Sequence, residues 1–160
     1  MVACACTAGH KGEDMDTQPQ EPTQDELQLG QKSDWFLASL VNIANSGPIE
    51  FGITLQIGGL LVSGNLVNGA RYFEGFASEF AGGFPDAEIA ENIRKAIESH
   101  GVVYKPNDED SKRSQPTFIH LREARFFNTA GKPVPVNKGV WWRGRLSEVS
   151  GFVLGSLRQD

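Results

Sequence analysis

Cysteine, histidine and long apolar runs are scarce in this chain, and each scarcity closes off a class of function. The cysteines, Cys4 and Cys6, sit together in the first few residues, so no disulfide framework can brace a core that lies far downstream. With His10 nearby they offer two thiolates and one distant imidazole, an incomplete set for a soft metal; incidental thiols are the simpler reading, and no metal is expected. The histidines stand at positions 10, 100 and 120, far apart and outside any recognisable motif. A catalytic reading needs a nucleophile and base within reach, or a cluster of ligands. Gly58-Gly59 and Gly82-Gly83 are turn pairs without the spacing or lysine of a phosphate-binding loop. A protein without catalytic residues or cofactor is expected. No apolar run reaches the roughly 18 residues that span a bilayer, and Met1 to Gly9 lacks the charged region and length of a signal peptide. The expectation is a soluble cytoplasmic protein with no membrane partner.

What is present is charge of opposite sign at the two ends. Residues 1 to 26 hold six acids (Glu13, Asp14, Asp16, Glu21, Asp25, Glu26) against Lys11. Residues 117 to 160 hold seven bases (Arg122, Arg125, Lys132, Lys138, Arg143, Arg145, Arg158) against Glu123, Glu148 and Asp160. The tail could lie on the basic face of its own or another copy, that face could meet an anionic partner, or both ends are simply solvated. The net charge of -5 argues against a dedicated nucleic-acid binder, which is ordinarily basic over its whole domain.

Residues 1 to 32 carry almost no large apolar side chains and cannot offset the entropy of ordering, so they read as a disordered acidic tail before a single domain over 33–160. Ser33 reads as an N-cap, and Phe36, Leu37, Leu40, Val41 and Ala44 recur at helical spacing until Gly47-Pro48. Phe51 to Ile57 and Leu60 to Val67 read as a hairpin around Gly58-Gly59, with Gly64 allowing a bend in mid-strand. Tyr72, Phe73, Phe76, Ala77 and Phe80 mark an amphipathic helix that reads as core. A second helix, opening at Pro85-Asp86, carries Ile89, Ala90, Ile93, Ala96 and Ile97 inward. Val102 to Tyr104 reads as a short strand, and Lys105 to Gln115 as a charged surface loop.

Thr117 to Phe127 is the longest strand candidate, with Ile119, Leu121 and Phe127 on one face and His120, Arg122, Ala124 and Phe126 on the other. His120 reads as a hydrogen-bonded structural histidine. The densest signal is V-W-W-R-G-R-L-S-E-V-S-G-F-V-L-G-S-L over Val140 to Leu157. Val140, Trp142, Gly144 and Leu146 fall on one side of a strand running to Val149, and Trp141, Arg143, Arg145 and Ser147 on the other. A sharp corner and a second strand follow Gly151, and Glu148 pairs most simply with Arg143 or Arg145. The fold class is α+β: a small, strongly bent, mostly antiparallel β-barrel or sheet of Sm-like or SH3-like kind. An N-terminal helix precedes it, and a helical insertion separates strands 2 and 3. A flat sheet with helices on one face is the alternative. Trp141, Arg143 and Arg145 on one strand, with Arg122 and Arg125 on another, form a basic patch containing an aromatic. Such a patch suits a protein interface or, alternatively, nucleic acid.

Trp142-Arg143-Gly144-Arg145-Leu146, Glu148-Val149, Gly151-Phe152 and Leu154-Gly155 resemble the C-terminal signature of the gas vesicle accessory protein GvpU family. Phe118-Ile119-His120-Leu121-Arg122 and Ile53-Thr54-Leu55 through Gly64 resemble the same family at similar spacing. The resemblance implies a cytoplasmic accessory protein of gas vesicle formation, outside the shell lattice, that touches shell proteins and itself to influence vesicle assembly or clustering. The acidic, proline-containing tail and the rich helical insertion depart from the family pattern.

Overall fold

Gly58 and Gly59 have left-handed backbone, with φ 55 and φ 83, as a two-residue hairpin turn asks of both its central positions. They join β1 (Phe51–Ile57) to β2 (Leu60–Leu66), paired antiparallel from Phe51↔Leu66 to Ile57↔Leu60. The computed structural model describes residues 33–105, 115–128 and 131–157. The expected tail 1–32, with Cys4 and Cys6, and most of the expected loop 105–115 lie outside the described residues.

Helix α1 (Trp35–Asn45) starts one residue later than Ser33 would place it, because Asp34 is the cap. Its carboxylate accepts from Phe36 N at 2.7 Å and Leu37 N at 3.0 Å, satisfying two orphan donors and placing negative charge at the positive end of the dipole. Leu37, Ala38, Val41 and Ala44 are its buried stripe.

After β2 come α2 (Gly69–Ala81), α3 (Ala87–Ser99) and a 3-10 turn over His100–Tyr104, where a short strand is expected from the sequence. Then come β3 (Phe118–Phe127), β4 (Pro133–Val134), β5 (Val140–Arg145) and β6 (Gly151–Leu154). The strands form one antiparallel sheet in the order β4-β3-β2-β1-β6, with β5 also pairing with β3.

The sheet is open, which corrects the barrel expectation. Strand β5 stops at Arg145 instead of running on to Val149, and a 3-10 turn over Leu146–Glu148 makes the corner. Leu146 N donates to Thr117 O at 3.0 Å, which ties the corner to the start of β3. Strand β5 therefore pairs with β3 and β6 with β1, and no ladder joins β5 to β6.

Helices on one face alone are not found either. Leu121 and Trp142 pack with Ile53, Leu55, Leu66 and the α1 stripe in the main core. Their neighbours His120 and Trp141 point to the opposite face, against Tyr72 of α2. Helix α3 packs on α2 and the 3-10 turn, and none of its residues is buried. The expectation that Ile89, Ile93 and Ile97 point into a core is thus corrected: Ile93 and Ile97 are half-buried and Ile89 is exposed.

One residue resets the alternation of β3. Glu123 has φ 54, the left-handed region, and the pairing shifts between Ser63/Asn65 of β2 and between Leu121/Ala124 of β3. A bulge adds a residue to one strand and flips the parity beyond it. Leu121 and Ala124 both reach the core as a result, Phe126 joins them there, and Phe127 turns to the other side. The expected assignment of Ala124, Phe126 and Phe127 is reversed for that reason. Gly64 and Gly139 make room for the bulge: a Cβ on Gly64 would crowd Arg122 O and Ala124, and one on Gly139 would collide with the Glu123 backbone.

Candidate partner-binding face

Directly opposed residues in an antiparallel ladder share a face. Arg143 lies opposite His120, Arg145 opposite Phe118, Asn65 opposite Arg122 and Ser63 opposite Arg125. Arg122, Arg125, Arg143 and Arg145 are therefore on the same side of the sheet, the side away from α1, although they come from two strands with a bulge between them.

They are not equivalent. Arg145 is exposed at the end of β5. Arg143 lays its guanidinium over the Phe118 ring, 3.4 Å from the centroid, a cation-π contact that fixes its position and leaves the residue exposed. Arg122 is half-buried beside Glu50: its Nε lies 3.0 Å from Glu50 Oε2, close enough for an ion pair but not aligned as a hydrogen bond. Glu50 also lies 3.8 Å from Arg71 Nε. Glu148 pairs with neither Arg143 nor Arg145 among the described residues, contrary to expectation, because its 3-10 turn carries it out of the strand.

Trp141 faces the same side, but α2 covers much of it. The Tyr72 ring meets it edge-on at 6.1 Å, and Gly75 lies directly against the indole. Trp141 is thus a half-buried wall between the arginines and α2 rather than an exposed contact.

His120, between Phe118 and Arg122 on β3, is fully buried under α2 and the 3-10 turn. The rings of Tyr72 and Tyr104 lie 4.9 and 5.0 Å away, and Phe73 6.1 Å. Neither ring nitrogen finds a hydrogen-bond partner among the described residues, so the expected hydrogen-bonded histidine is an aromatic-packed one. Burial, with the Arg143 charge adding to it, pushes its pKa down to about 3, so the imidazole is neutral at physiological pH. Burial likewise pushes the Tyr72 phenol up.

Where α2 does not reach, the C-terminal segment crosses the same face. Thr54 Oγ1 donates to Gly155 O at 2.9 Å and Leu157 N donates to Ser63 Oγ at 2.7 Å. Between this segment and β3 lies a polar cleft of about 470 Å³ lined by Ser63, Asn65, Glu123, Arg125 and Ser156. Asn65 Nδ2 donates to Glu123 Oε2 at 3.2 Å, while Arg125 Nε is enclosed without a partner among the described residues. Arg125 thus sits in a cleft, apart from the open stretch that carries Arg143 and Arg145.

A second concavity is apolar. Phe76, Phe80 and Phe84 of the α2 region line a groove of about 530 Å³ with Val140 and Trp141. Phe76 stacks on Phe80 with centroids 6.0 Å apart, and Phe80 meets Phe84 edge-on at 5.5 Å. Phe76 and Phe80 read as core from sequence, yet Phe80 is 49% exposed. Phe76 and Phe80 have the i, i+4 spacing of one helix face, with Phe84 just beyond the end of α2, and a helix facing a two-sided sheet can leave part of such a stripe outside. The described residues contain no group of three or more His, Cys, Asp or Glu able to hold a metal, and no helix long and apolar enough to cross a membrane.

An α+β protein with an open six-stranded antiparallel sheet, arginines on one sheet face and an apolar groove beside them is the class these features define. The family model described as gas vesicle protein GvpU-like matches residues 34–157. The chain belongs to this GvpU-like family of gas vesicle proteins. No curated protein and no solved structure matches it significantly.

Proposed function

We propose that the chain is a non-enzymatic cytoplasmic accessory protein of gas vesicles. It docks on a shell or accessory protein through the arginine-bearing face of its sheet and so influences vesicle assembly or clustering. One observation carries this reading: the register that puts Arg143 and Arg145 on the same side as Arg122 and Arg125. Guanidinium groups gathered on a strand surface select an anionic partner and raise its rate of encounter. Arg143, held on Phe118, is pre-positioned and loses little freedom on contact. Trp141 supports that face from beneath α2.

Among the described residues, the outer edges of β5 and β6 carry no strand partner. Such edges accept another strand, a route by which the open sheet can assemble with itself. Flotation tests the docking reading. Purified gas vesicles are mixed with the wild-type chain or with Arg143→Glu combined with Arg145→Glu, then allowed to rise. Wild type should rise with the vesicles and the variant should stay below; equal recovery of both removes the arginine face from the account.

A further inference from the structure

We propose that the polar cleft between β3 and the C-terminal segment is a binding site for a small zwitterion of the amino acid kind, whose carboxylate meets Arg125 and whose ammonium meets Glu123. The cleft, about 470 Å³, falls within the roughly 300–1,000 Å³ usual for small-ligand sites. Vesicle docking plays no part in it.

The two charged groups of the cleft are uncommitted. Arg125 has neither a hydrogen-bond nor an ion-pair partner among the described residues, and its Nε is enclosed. A guanidinium that has lost water and gained nothing in return is costly to leave unmatched. Glu123 accepts from Asn65 through Oε2, which leaves Oε1 open. Although both side chains line one cleft, they make no ion pair with each other. A ligand of a single charge would satisfy one of them and be repelled by the other, whereas a zwitterion complements both.

Strand β3 reaches this arrangement at a cost. Glu123 stands in left-handed backbone at φ 54, inside the bulge between Leu121 and Ala124. Regular alternation would put Arg125 on the side of Leu121, in the core; the bulge turns it to the other side, into the cleft with Glu123. Strained residues gather at ligand clamps, and bulges re-aim side chains beside functional sites.

The hydroxyls at the floor are already occupied. Thr54 Oγ1 gives its proton to Gly155 O, so Ser63, 2.9 Å away, gives its own to Thr54 and accepts from Leu157 N. This run closes on itself and holds the C-terminal wall in place without drawing on Arg125 or Glu123. Pro133 and Val136 add an apolar rim for the ligand's side chain.

Purified protein, without vesicles, is titrated in a calorimeter with each standard L-amino acid, and with acetate, methylamine and inorganic phosphate. At least one amino acid should bind saturably below about 10 mM. Acetate and methylamine, each carrying half of the ligand's charge, should bind about tenfold more weakly or worse. Arg125→Gln and Glu123→Gln should each weaken the amino acid by about tenfold or more, the loss expected of a charged hydrogen-bond partner. Glu123 is exposed, so Glu123→Gln should keep the wild-type melting temperature and carries the test if Arg125→Gln misfolds. No binding by any amino acid, or an affinity unchanged in Glu123→Gln, overturns the proposal. So does acetate or phosphate binding as tightly as the amino acid, which would make the cleft a simple anion site.

Discussion

Gly75 of α2 lies against the indole of Trp141, so close that a Cβ added to Gly75 would overlap the Cζ2 edge of the ring. This contact fixes how α2 sits on the sheet, and with it which parts of the arginine face stay open.

Replacing Gly75 by alanine sets two effects against each other. Alanine favours a helix by about 1 kcal/mol over glycine, while overpacking a fitted contact costs about 1–3 kcal/mol. The clash involves a ring backed by Tyr72, which cannot swing away freely. Gly75→Ala is therefore expected to lower stability by about 1–2 kcal/mol in urea unfolding. Adding Trp141→Ala to it should remove that penalty and expose the helix gain. Equal effects of Gly75→Ala in both backgrounds would show that the ring is not what it meets.

His120 makes stability depend on pH. Its folded pKa of about 3 lies below the ordinary 6.5, so between those values the unfolded chain binds more protons and stability falls as pH falls. Going from about pH 7.5 to about pH 5 should cost about 2 kcal/mol from this group, at roughly 1.4 kcal/mol per unit below the unfolded pKa. His120→Phe should remove that part of the slope, as unfolding midpoints at the two pH values would report. A slope unchanged in the variant would place its origin elsewhere.

Glu123 holds a left-handed φ of 54 without being glycine, a conformation that costs an L-residue roughly 1–2 kcal/mol. Glu123→Gly should relieve it, losing in exchange only the exposed contact with Asn65. The expected result is a gain of up to about 1 kcal/mol in thermal or chemical unfolding, reduced by the greater freedom of unfolded glycine. A clear loss would mean that the carboxylate contributes more than the strain takes away.

Trp142 packs against the main core, and its ring fills the space a side chain at Gly144 would need. Trp142→Ala should cost about 3 kcal/mol, and Gly144→Ala should also destabilise. Native-state proteolysis would report both, and resistance equal to wild type would show that the indole is dispensable to the core.

Much of this was legible in the residues themselves. The Gly58-Gly59 pair, the alternation of Trp141 and Trp142, and the apolar spacing of α1 and α2 each follow from local periodicity or turn chemistry. The bulge at Glu123 was not legible, because nothing in R-E-A marks a residue forced into left-handed backbone by neighbours on β2 and before β5. The half-covered state of Trp141 depends on Gly75, some 66 positions earlier, and pairing over that distance is a tertiary event that one sequence does not display. The open edge at β5 follows from the 3-10 turn at Leu146, where the sequence still alternates as a strand would. The exposed groove was hidden for a related reason: Phe76 and Phe80 have the spacing of a buried stripe, and only the placement of α2 decides how much of it is covered.

The most direct test of the arginine face is backbone amide exchange with and without purified gas vesicles. Binding there should slow exchange in peptides covering β3 and β5, residues 118–127 and 140–145, and the slowing should weaken as salt is raised. Protection confined to other elements, or unchanged exchange in β3 and β5 when the chain is vesicle-bound, would contradict the account.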